Sequence, residues 1–111
     1  AYVGEIIREK VLRHTRDELP FSSAVLVDSF EEADERGLMR LYCTILVERE
    51  SQKPIVIGRG GAMIKRIGTE AREELERFFG AKVYLDLRVK TRAGWREDPR
   101  MLDEIGIRDD D

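Results

Sequence analysis

The sequence predicts an α+β fold of two layers, in which helices cover one face of a three-stranded mixed sheet. Two segments carry apolar side chains at helical spacing, one near the start of the chain and one from Ala62 to Phe79. Two other segments, 41–47 and 83–89, alternate apolar and polar residues as strands do. At 111 residues the chain has the length of one domain, because each of two halves would be too small to bury a core.

The first half of the chain is predicted to form one helix and two strands. The helix spans 3–16 and is ended by a Leu-Pro pair. The apolar run 24–27 predicts the first strand, which extends toward Phe30, and the acidic stretch 31–37 connects it to the second strand. The inward-facing residues of the second strand are Leu41, Cys43, Ile45 and Val47.

The second half is predicted to form a short apolar turn, a long helix, a strand and a short last helix. The long helix spans 62–79, the strand spans 81–90, and an Asp-Pro pair at 98–99 begins the last helix. One domain then covers 1–107, and 108–111 form a disordered acidic tail. The apolar stripe of the long helix is Ile64, Ile67, Ala71, Leu75 and Phe78. The inward-facing residues of the third strand are Val83, Leu85, Leu87 and Val89.

The composition excludes several classes of chemistry. The chain holds one cysteine, Cys43, and one histidine, His14, so it has neither a disulfide framework nor a Cys/His zinc site. It carries no Ser/His/Asp set and no carboxylate cluster beside the glycine motif, so we expect no enzyme activity, catalytic residue, metal or cofactor. Because no signal peptide and no apolar run of about 18 residues is present, we expect a soluble cytoplasmic protein.

The charges are distributed unevenly along a chain whose net charge is −3. Residues 51–69 contain no acid and four bases, and residues 88–96 also contain no acid and four bases. The acids are concentrated at 28–36 and 97–111. Because the local field matters more than the total charge when a polyanion is bound, the net charge does not exclude a nucleic-acid partner.

The glycine cluster at 58–61 is the sharpest motif of the sequence. The dinucleotide-binding fingerprint requires a third glycine where Met63 stands, and the P-loop requires Lys-Ser/Thr where Ala62 and Met63 stand. A G-x-x-G turn before a helix N-terminus remains. Glycines allow a phosphate to approach closely there, and the unpaired N–H groups of the helix face it.

A G-x-x-G motif on its own usually marks only a tight turn. The residues around this loop favour a binding site instead. The loop follows the apolar run 55–57, precedes Ile64 and Ile67, and lies in the acid-free segment. This combination resembles the K-homology (KH) RNA-binding modules, whose G-x-x-G loop clamps about four nucleotides. One helix and two strands before the loop, and one strand after it, correspond to the type II order, α-β-β-α-α-β.

Stretches along the whole chain resemble the C-terminal KH domain of the Era family of bacterial ribosome-assembly GTPases. These stretches are Gly4 to Lys10, Asp17 to Pro20, Ile57 to Gly68, Ala71-Arg72, and Val89-Lys90 with Trp95. Two residues depart from the family pattern: Phe21 stands where histidine is usual, and Arg59 where lysine is usual. No segment matches the P-loop or the guanine motif of the family, so the chain resembles an excised C-terminal portion.

The resemblance implies that the chain binds single-stranded RNA at the 3′ end of small-subunit (16S) ribosomal RNA, in assembly of the small (30S) subunit. It implies the small ribosomal subunit and the GTPase domain of the parent protein as partners. It also implies a monomer and a parent protein that associates peripherally with the inner membrane. The alternative is a protein-interaction domain whose G-x-x-G loop is vestigial.

Candidate RNA-binding residues lie in the loop, in the helix after it and in the two basic segments. Ile57 and Ile64 either line a groove for bases or pack in the core. Trp95 either stacks on a base or anchors the last helix. The full set is Lys53, Ile57, Gly58, Arg59, Gly60, Gly61, Ile64, Lys65, Arg66, Lys90 and Trp95.

Overall fold

A computed structural model describes residues 2–19 and 23–94 of the chain. The helices are α1 (Tyr2–Thr15), α2 (Lys53–Ile57) and α3 (Ala62–Phe79), and the strands are β1 (Ser23–Glu31), β2 (Leu38–Val47) and β3 (Lys82–Thr91). This order confirms the predicted type II arrangement. Among the described residues, no helix is both long enough and apolar enough to cross a membrane. The predicted last helix and acidic tail lie outside the described residues.

The central strand of the sheet is β2. It pairs antiparallel with β1 and parallel with β3, so the sheet is mixed, as the sequence predicts. The antiparallel pairing shifts between Val27 and Ser29, where Asp28 is the extra residue of a bulge. The parallel pairing requires a crossover connection, which α2 and α3 supply. The glycine loop therefore lies within the crossover.

The main core lies between the helices and one face of the sheet. The predicted inward residues of β2 are all buried, and Cys43 among them is only 1% exposed. In α3 the buried stripe is Ile67, Ala71 and Leu75. The other core residues are Val3, Ile6, Ile7, Val11, Leu19, Val25, Met39, Val56 and Val83.

The opposite face of the sheet is also buried at one end, which corrects the expectation of a single covered face. Leu46, which the strand alternation places on that face, is 1% exposed. It lies opposite Ala24 on β1, and Leu26 packs against this pair. Thr44 is buried on the same face and donates a hydrogen bond to Asp28 at 2.6 Å.

The predicted core is less complete beside the outer half of β3. Leu85, Leu87 and Val89 are only half-buried, whereas the sequence predicts them inside the core. Phe78 continues the α3 stripe but is 56% exposed, and its ring lies 4.1 Å from that of Tyr2. The helices thus leave part of the inner face of β3 uncovered.

Polar contacts fix α1 against α3 beside the core. The Lys10 ammonium is buried and donates hydrogen bonds to Glu74 of α3 and to Glu9. Burial disfavours this charge, but the two carboxylates outweigh it and raise the pKa of Lys10. One turn further along, the His14 Nε2 lies 2.9 Å from Glu70 Oε1. These contacts set the position of α3, and α3 in turn positions the glycine loop.

Candidate nucleic-acid interface

The glycine loop joins α2 to α3 through a short 3₁₀ turn. The N–H of Gly58 donates to the carbonyl of Pro54 at 2.8 Å and ends α2. The N–H of Gly61 donates to the carbonyl of Gly58 at 3.1 Å and closes the turn. All three glycines of the loop have positive φ: 76° at Gly58, 60° at Gly60 and 80° at Gly61. The loop backbone therefore has a shape that side chains disfavour.

Gly58 and Gly60 have different surroundings within the loop. Gly58 is half-buried and packs against the backbone of Met63, whereas Gly60 is exposed with open space around it. The side chain of Arg59 is also exposed. The backbone at Arg59 and Gly60 is therefore accessible. At Gly58 the loop packs closely against the start of α3.

The N-terminus of α3 has the properties of an anion-binding end. No side chain caps it, and its first turn contains no acid. The first N–H groups of a helix lack partners within the helix and carry partial positive charge. Arg59 precedes this end, and Lys65 follows it, both exposed. A phosphate at the loop would meet backbone donors and two cationic side chains.

A groove of about 300 Å³ runs between α3 and β3 beside the loop. Apolar side chains from both elements form part of its wall, and two cationic side chains and one hydroxyl stand along it. The groove is lined by Ile64, Lys65, Gly68, Thr69, Arg72, Leu85 and Leu87. It occupies the uncovered part of the inner face of β3. Apolar walls with a few polar groups suit a flat heteroaromatic ligand such as a nucleobase.

β3 also offers hydrogen-bonding groups of its backbone to the groove. In the sheet that the described residues form, β3 is an edge strand and β2 lies beside it. The N–H of Lys82 donates toward β2, to the carbonyl of Gly37 at 3.2 Å. Because successive residues of a strand direct their backbone groups to alternate sides, Leu85 and Leu87 direct theirs to the free edge. An N–H and a carbonyl at these residues can pair with the edge of a base.

The structure brings together part of the predicted site. Ile64 and Lys65 line the groove, and Arg59 lies with the loop glycines at its end. Ile57 ends α2, is half-buried and does not line the groove. Of the two isoleucines, the structure places Ile64 in the wall of the groove and Ile57 outside it, and a contact of either with RNA stays a prediction.

Of the four other predicted residues, three do not line the groove. Lys53 starts α2 and lies 3.7 Å from Glu50. Arg66 is exposed and lies 4.0 Å from Glu70, on the side of α3 that faces α1. Lys90 is exposed on the sheet face opposite the groove, because it alternates with the inward-facing Val89. The fourth, Trp95, lies outside the described residues.

Sequence reasoning missed most of the groove wall. Leu85 and Leu87 were assigned to the core, and Gly68, Thr69 and Arg72 were not assigned to the site at all. One signal was available: an isolated glycine inside a strong helical pattern, Gly68, often marks a close approach. The side chains that meet across the groove come from α3 and β3, so their pairing depends on the tertiary structure.

Comparison with known proteins matches residues 18–96 of the chain to the KH domain family. The GTPase Era of Geobacter metallireducens is 56% identical over 103 residues, which amount to 93% of this chain and 35% of that protein. The chain thus spans about a third of the length of the curated relatives that it matches.

Two solved structures have the same fold. A crystal structure of an Era variant from Aquifex aeolicus bound to GDP·AlF4⁻ gives a TM-score of 0.88 at 40% identity, over 95% of this chain and 35% of that chain. A crystal structure of Era with MgGDPNP and nucleotides 1506–1542 of 16S ribosomal RNA gives 0.87 at 40% identity, over 94% of this chain and 35% of that chain. The chain therefore belongs to the KH domain family, and its similar relatives are GTPases of the Era type.

Proposed function

We propose that this chain binds single-stranded RNA, with the sugar-phosphate backbone at the glycine loop and the bases in the groove between α3 and β3. The observation that carries the proposal is the junction of two surfaces. An exposed loop at the uncapped N-terminus of α3 meets a groove with apolar walls. A KH module uses these two surfaces together, one for phosphates and the other for bases.

The charges near the loop support an RNA ligand despite the net charge of −3. Residues 51–69 contain no acid, so repulsion of phosphates is weak along the loop and the first turns of α3. The acidic turn between β1 and β2 is partly neutralised internally, since Arg40 lies 3.2 Å from Asp34. Long-range forces would therefore orient an RNA strand toward the loop.

The proposed target is the 3′ end of 16S ribosomal RNA, and the proposed process is assembly of the small ribosomal subunit. Support comes from the Era structure solved with nucleotides 1506–1542 of 16S ribosomal RNA, which shares this fold at 40% identity. In this proposal the domain acts in the cytoplasm as the RNA-binding part of an Era-type GTPase. Its partners are the small subunit and the GTPase domain, and the chain itself does not hydrolyse GTP.

Fluorescence anisotropy with a labelled oligonucleotide of the 16S 3′ end, compared with a scrambled one, tests the proposal. We expect the specific oligonucleotide to bind more tightly, with an affinity that falls as salt rises from about 50 to 200 mM. The variant Arg59→Asp with Gly60→Asp should abolish binding, because it places two negative charges at the site of phosphate contact.

A control variant matches this change in charge at another exposed site. Ala33→Asp with Arg36→Asp lies in the turn between β1 and β2, where both residues are exposed. It should leave RNA binding nearly unchanged, and circular dichroism should find both variants folded. A folded loop variant with unchanged affinity would overturn the proposed site. If the chain bound no RNA but bound another protein with an affinity that does not depend on salt, the result would favour the alternative, a protein-interaction domain with a vestigial loop.

A further inference from the structure

Arg72 places a guanidinium at the end of the groove that is distant from the glycine loop. It lines the groove on α3 and faces the same space as Leu85 of β3. Its side chain does not extend freely into solvent, because Nη1 lies 3.1 Å from Glu76 Oε1, one turn further along α3. This pair engages Nη1, and the guanidinium carries further N–H donors for a ligand in the groove that Arg72 lines.

Glu76 is itself held in place by the sheet. Its second carboxylate oxygen, Oε2, accepts a hydrogen bond from the backbone N–H of Val83 at 3.0 Å. Val83 is one of the β3 residues that direct their backbone groups to the free edge of the sheet. One oxygen of Glu76 therefore accepts a hydrogen bond from the backbone of β3, and the other oxygen orients the Arg72 side chain. The carboxylate bridges the two elements that form the groove.

The distance along α3 separates Arg72 from the phosphate-binding end. From Ile64 to Arg72 the helix advances eight residues, or about 12 Å at 1.5 Å per residue. In the proposed function, the RNA phosphates lie at the glycine loop and the bases lie along the α3 side of the groove. Arg72 thus stands where a base edge, rather than a phosphate, would lie against Leu85.

We propose that Arg72 reads a base with two neighbouring acceptors, a guanine or a cytosine, in the groove and that Glu76 acts as its positioning residue. This inference rests on the proposed RNA-binding function. A guanidinium fork donates to two neighbouring acceptors, and guanine offers that pair at O6 and N7. Cytosine offers a second such pair at N3 and O2, which a single strand leaves accessible. Adenine offers N7 beside an amino donor, and uracil has an N–H between its two carbonyls. A fork of donors without any acceptor therefore selects guanine or cytosine over adenine and uracil.

A set of labelled uridine heptamers tests this inference: one all-uridine, and four with a central guanine, cytosine, adenine or 7-deazaguanine, the last of which lacks the N7 acceptor. A single central base can occupy any register, so the position of the strand need not be known. For the unmodified protein we expect guanine or cytosine to improve affinity about 5- to 100-fold over adenine, and the stronger of the two identifies the base that is read. If guanine is that base, the 7-deazaguanine heptamer should lose most of this preference.

Two variants separate the reading residue from the positioning residue. Arg72→Lys keeps the charge but removes the fork, so the ratio of affinities for the preferred base and adenine should fall close to one. Glu76→Gln keeps an oxygen for the Val83 N–H and loses the ion pair with Arg72. It should lower this preference at least several-fold while thermal unfolding stays close to that of the parent. Arg77→Lys is the matched control, since Arg77 is exposed on the same helix and lies outside the groove.

The outcomes distinguish this inference from the function on which it rests. If the protein binds the heptamers without preferring guanine or cytosine over adenine, or if Arg72→Lys retains the preference, the inference is wrong and the RNA-binding function stands. If Glu76→Gln keeps the full preference, Glu76 has only a structural role. If no heptamer and no 16S oligonucleotide binds, both the inference and the proposed function fail.

Discussion

Gly58 lies so close to Met63 that a Cβ atom built on it would stand 2.6 Å from the Met63 Cβ and 2.7 Å from the Met63 amide nitrogen. At Gly60, by contrast, an added Cβ meets no atom within 4 Å. Both glycines have positive φ, so any side chain is strained at either position. Only Gly58 adds a steric conflict with the backbone of α3.

This contrast predicts different costs for two alanine substitutions. Gly60→Ala should lower the free energy of unfolding by about 1 kcal/mol, the usual cost of a left-handed backbone for a residue with a side chain. Gly58→Ala should cost clearly more, roughly 2 to 3 kcal/mol, because the start of α3 must shift as well. Urea unfolding followed by circular dichroism measures both. Equal costs would indicate that Met63 moves away freely.

Gly68→Ala is predicted to increase stability and weaken RNA binding. Gly68 lies inside α3, and an added Cβ would be in ordinary contact with Leu87 Cδ1, at 3.6 Å. Alanine favours a helix by up to about 1 kcal/mol over glycine, so thermal unfolding should shift upward. The same methyl group narrows the groove between α3 and β3, and anisotropy should report weaker binding of the 16S oligonucleotide. Unchanged affinity would place the bases elsewhere.

Arg59→Ala should change affinity without changing sequence preference. In the proposed function this side chain meets phosphates, which position a strand but do not identify its bases. Specific and scrambled oligonucleotides should lose affinity by about the same factor. The slope of log affinity against log salt should become shallower by about 0.7, the value for one contact on a single strand. A selective loss for the specific oligonucleotide would assign Arg59 to base recognition.

Cys43 should resist thiol reagents in the folded protein. Burial, with smaller contributions from Asp28 and Asp86, raises the pKa of Cys43 to about 12. The reactive thiolate is therefore scarce at pH 8, and the sulfur is only 1% exposed to a reagent. Labelling should be slow for the native chain and fast in urea. Fast native labelling would contradict the register that places Cys43 in the core.

The stability contributed by Glu70 should depend on pH. A hydrogen bond from His14, together with the charges of His14, Arg13 and Arg66, holds the pKa of Glu70 below its ordinary value of 4.5. Because the pKa is lower in the folded state, this contribution is complete above about pH 4.5 and is lost as pH falls through the folded value. Glu70→Gln should therefore destabilise the protein more at pH 7 than at pH 3. Urea unfolding at both values measures the difference.

A neighbouring carboxylate provides the control for this experiment. Glu73 is exposed on the same helix, and Glu73→Gln should change the stability little. An effect of Glu70→Gln that is equal at pH 7 and pH 3 would show that the contact with His14 depends on shape rather than charge.

The elements with local signals were predictable from the sequence. The α3 helix begins and ends where expected, because glycines at 61 and 80 mark its two ends. The inward face of β2 was equally clear from strict alternation. Phe78, the last position of the predicted apolar stripe of α3, was assigned wrongly to the core. Helical spacing defines a face but not how far the opposing sheet extends beneath it.

The groove required information that local patterns lack. Arg72 meets Leu85 because a parallel crossover returns the chain beside β2. A half-buried leucine on an edge strand has the same sequence pattern as a fully buried one, so Leu85 and Leu87 were expected in the core. Lys90 illustrates the opposite case. Its alternation with Val89 was visible in the sequence, and it places Lys90 away from the groove.

Within the described part of the chain, the glycine loop and every residue that lines the groove fall in one continuous stretch, 58–87. The first helix and the β1–β2 hairpin contribute no side chain to that lining. In the proposed function, ligand preference is therefore encoded in this one stretch, which also contributes Ile67, Ala71 and Leu75 to the core. A chimera that replaces only this stretch with its counterpart from another type II domain should acquire the donor's sequence preference while keeping the recipient's hairpin and first helix.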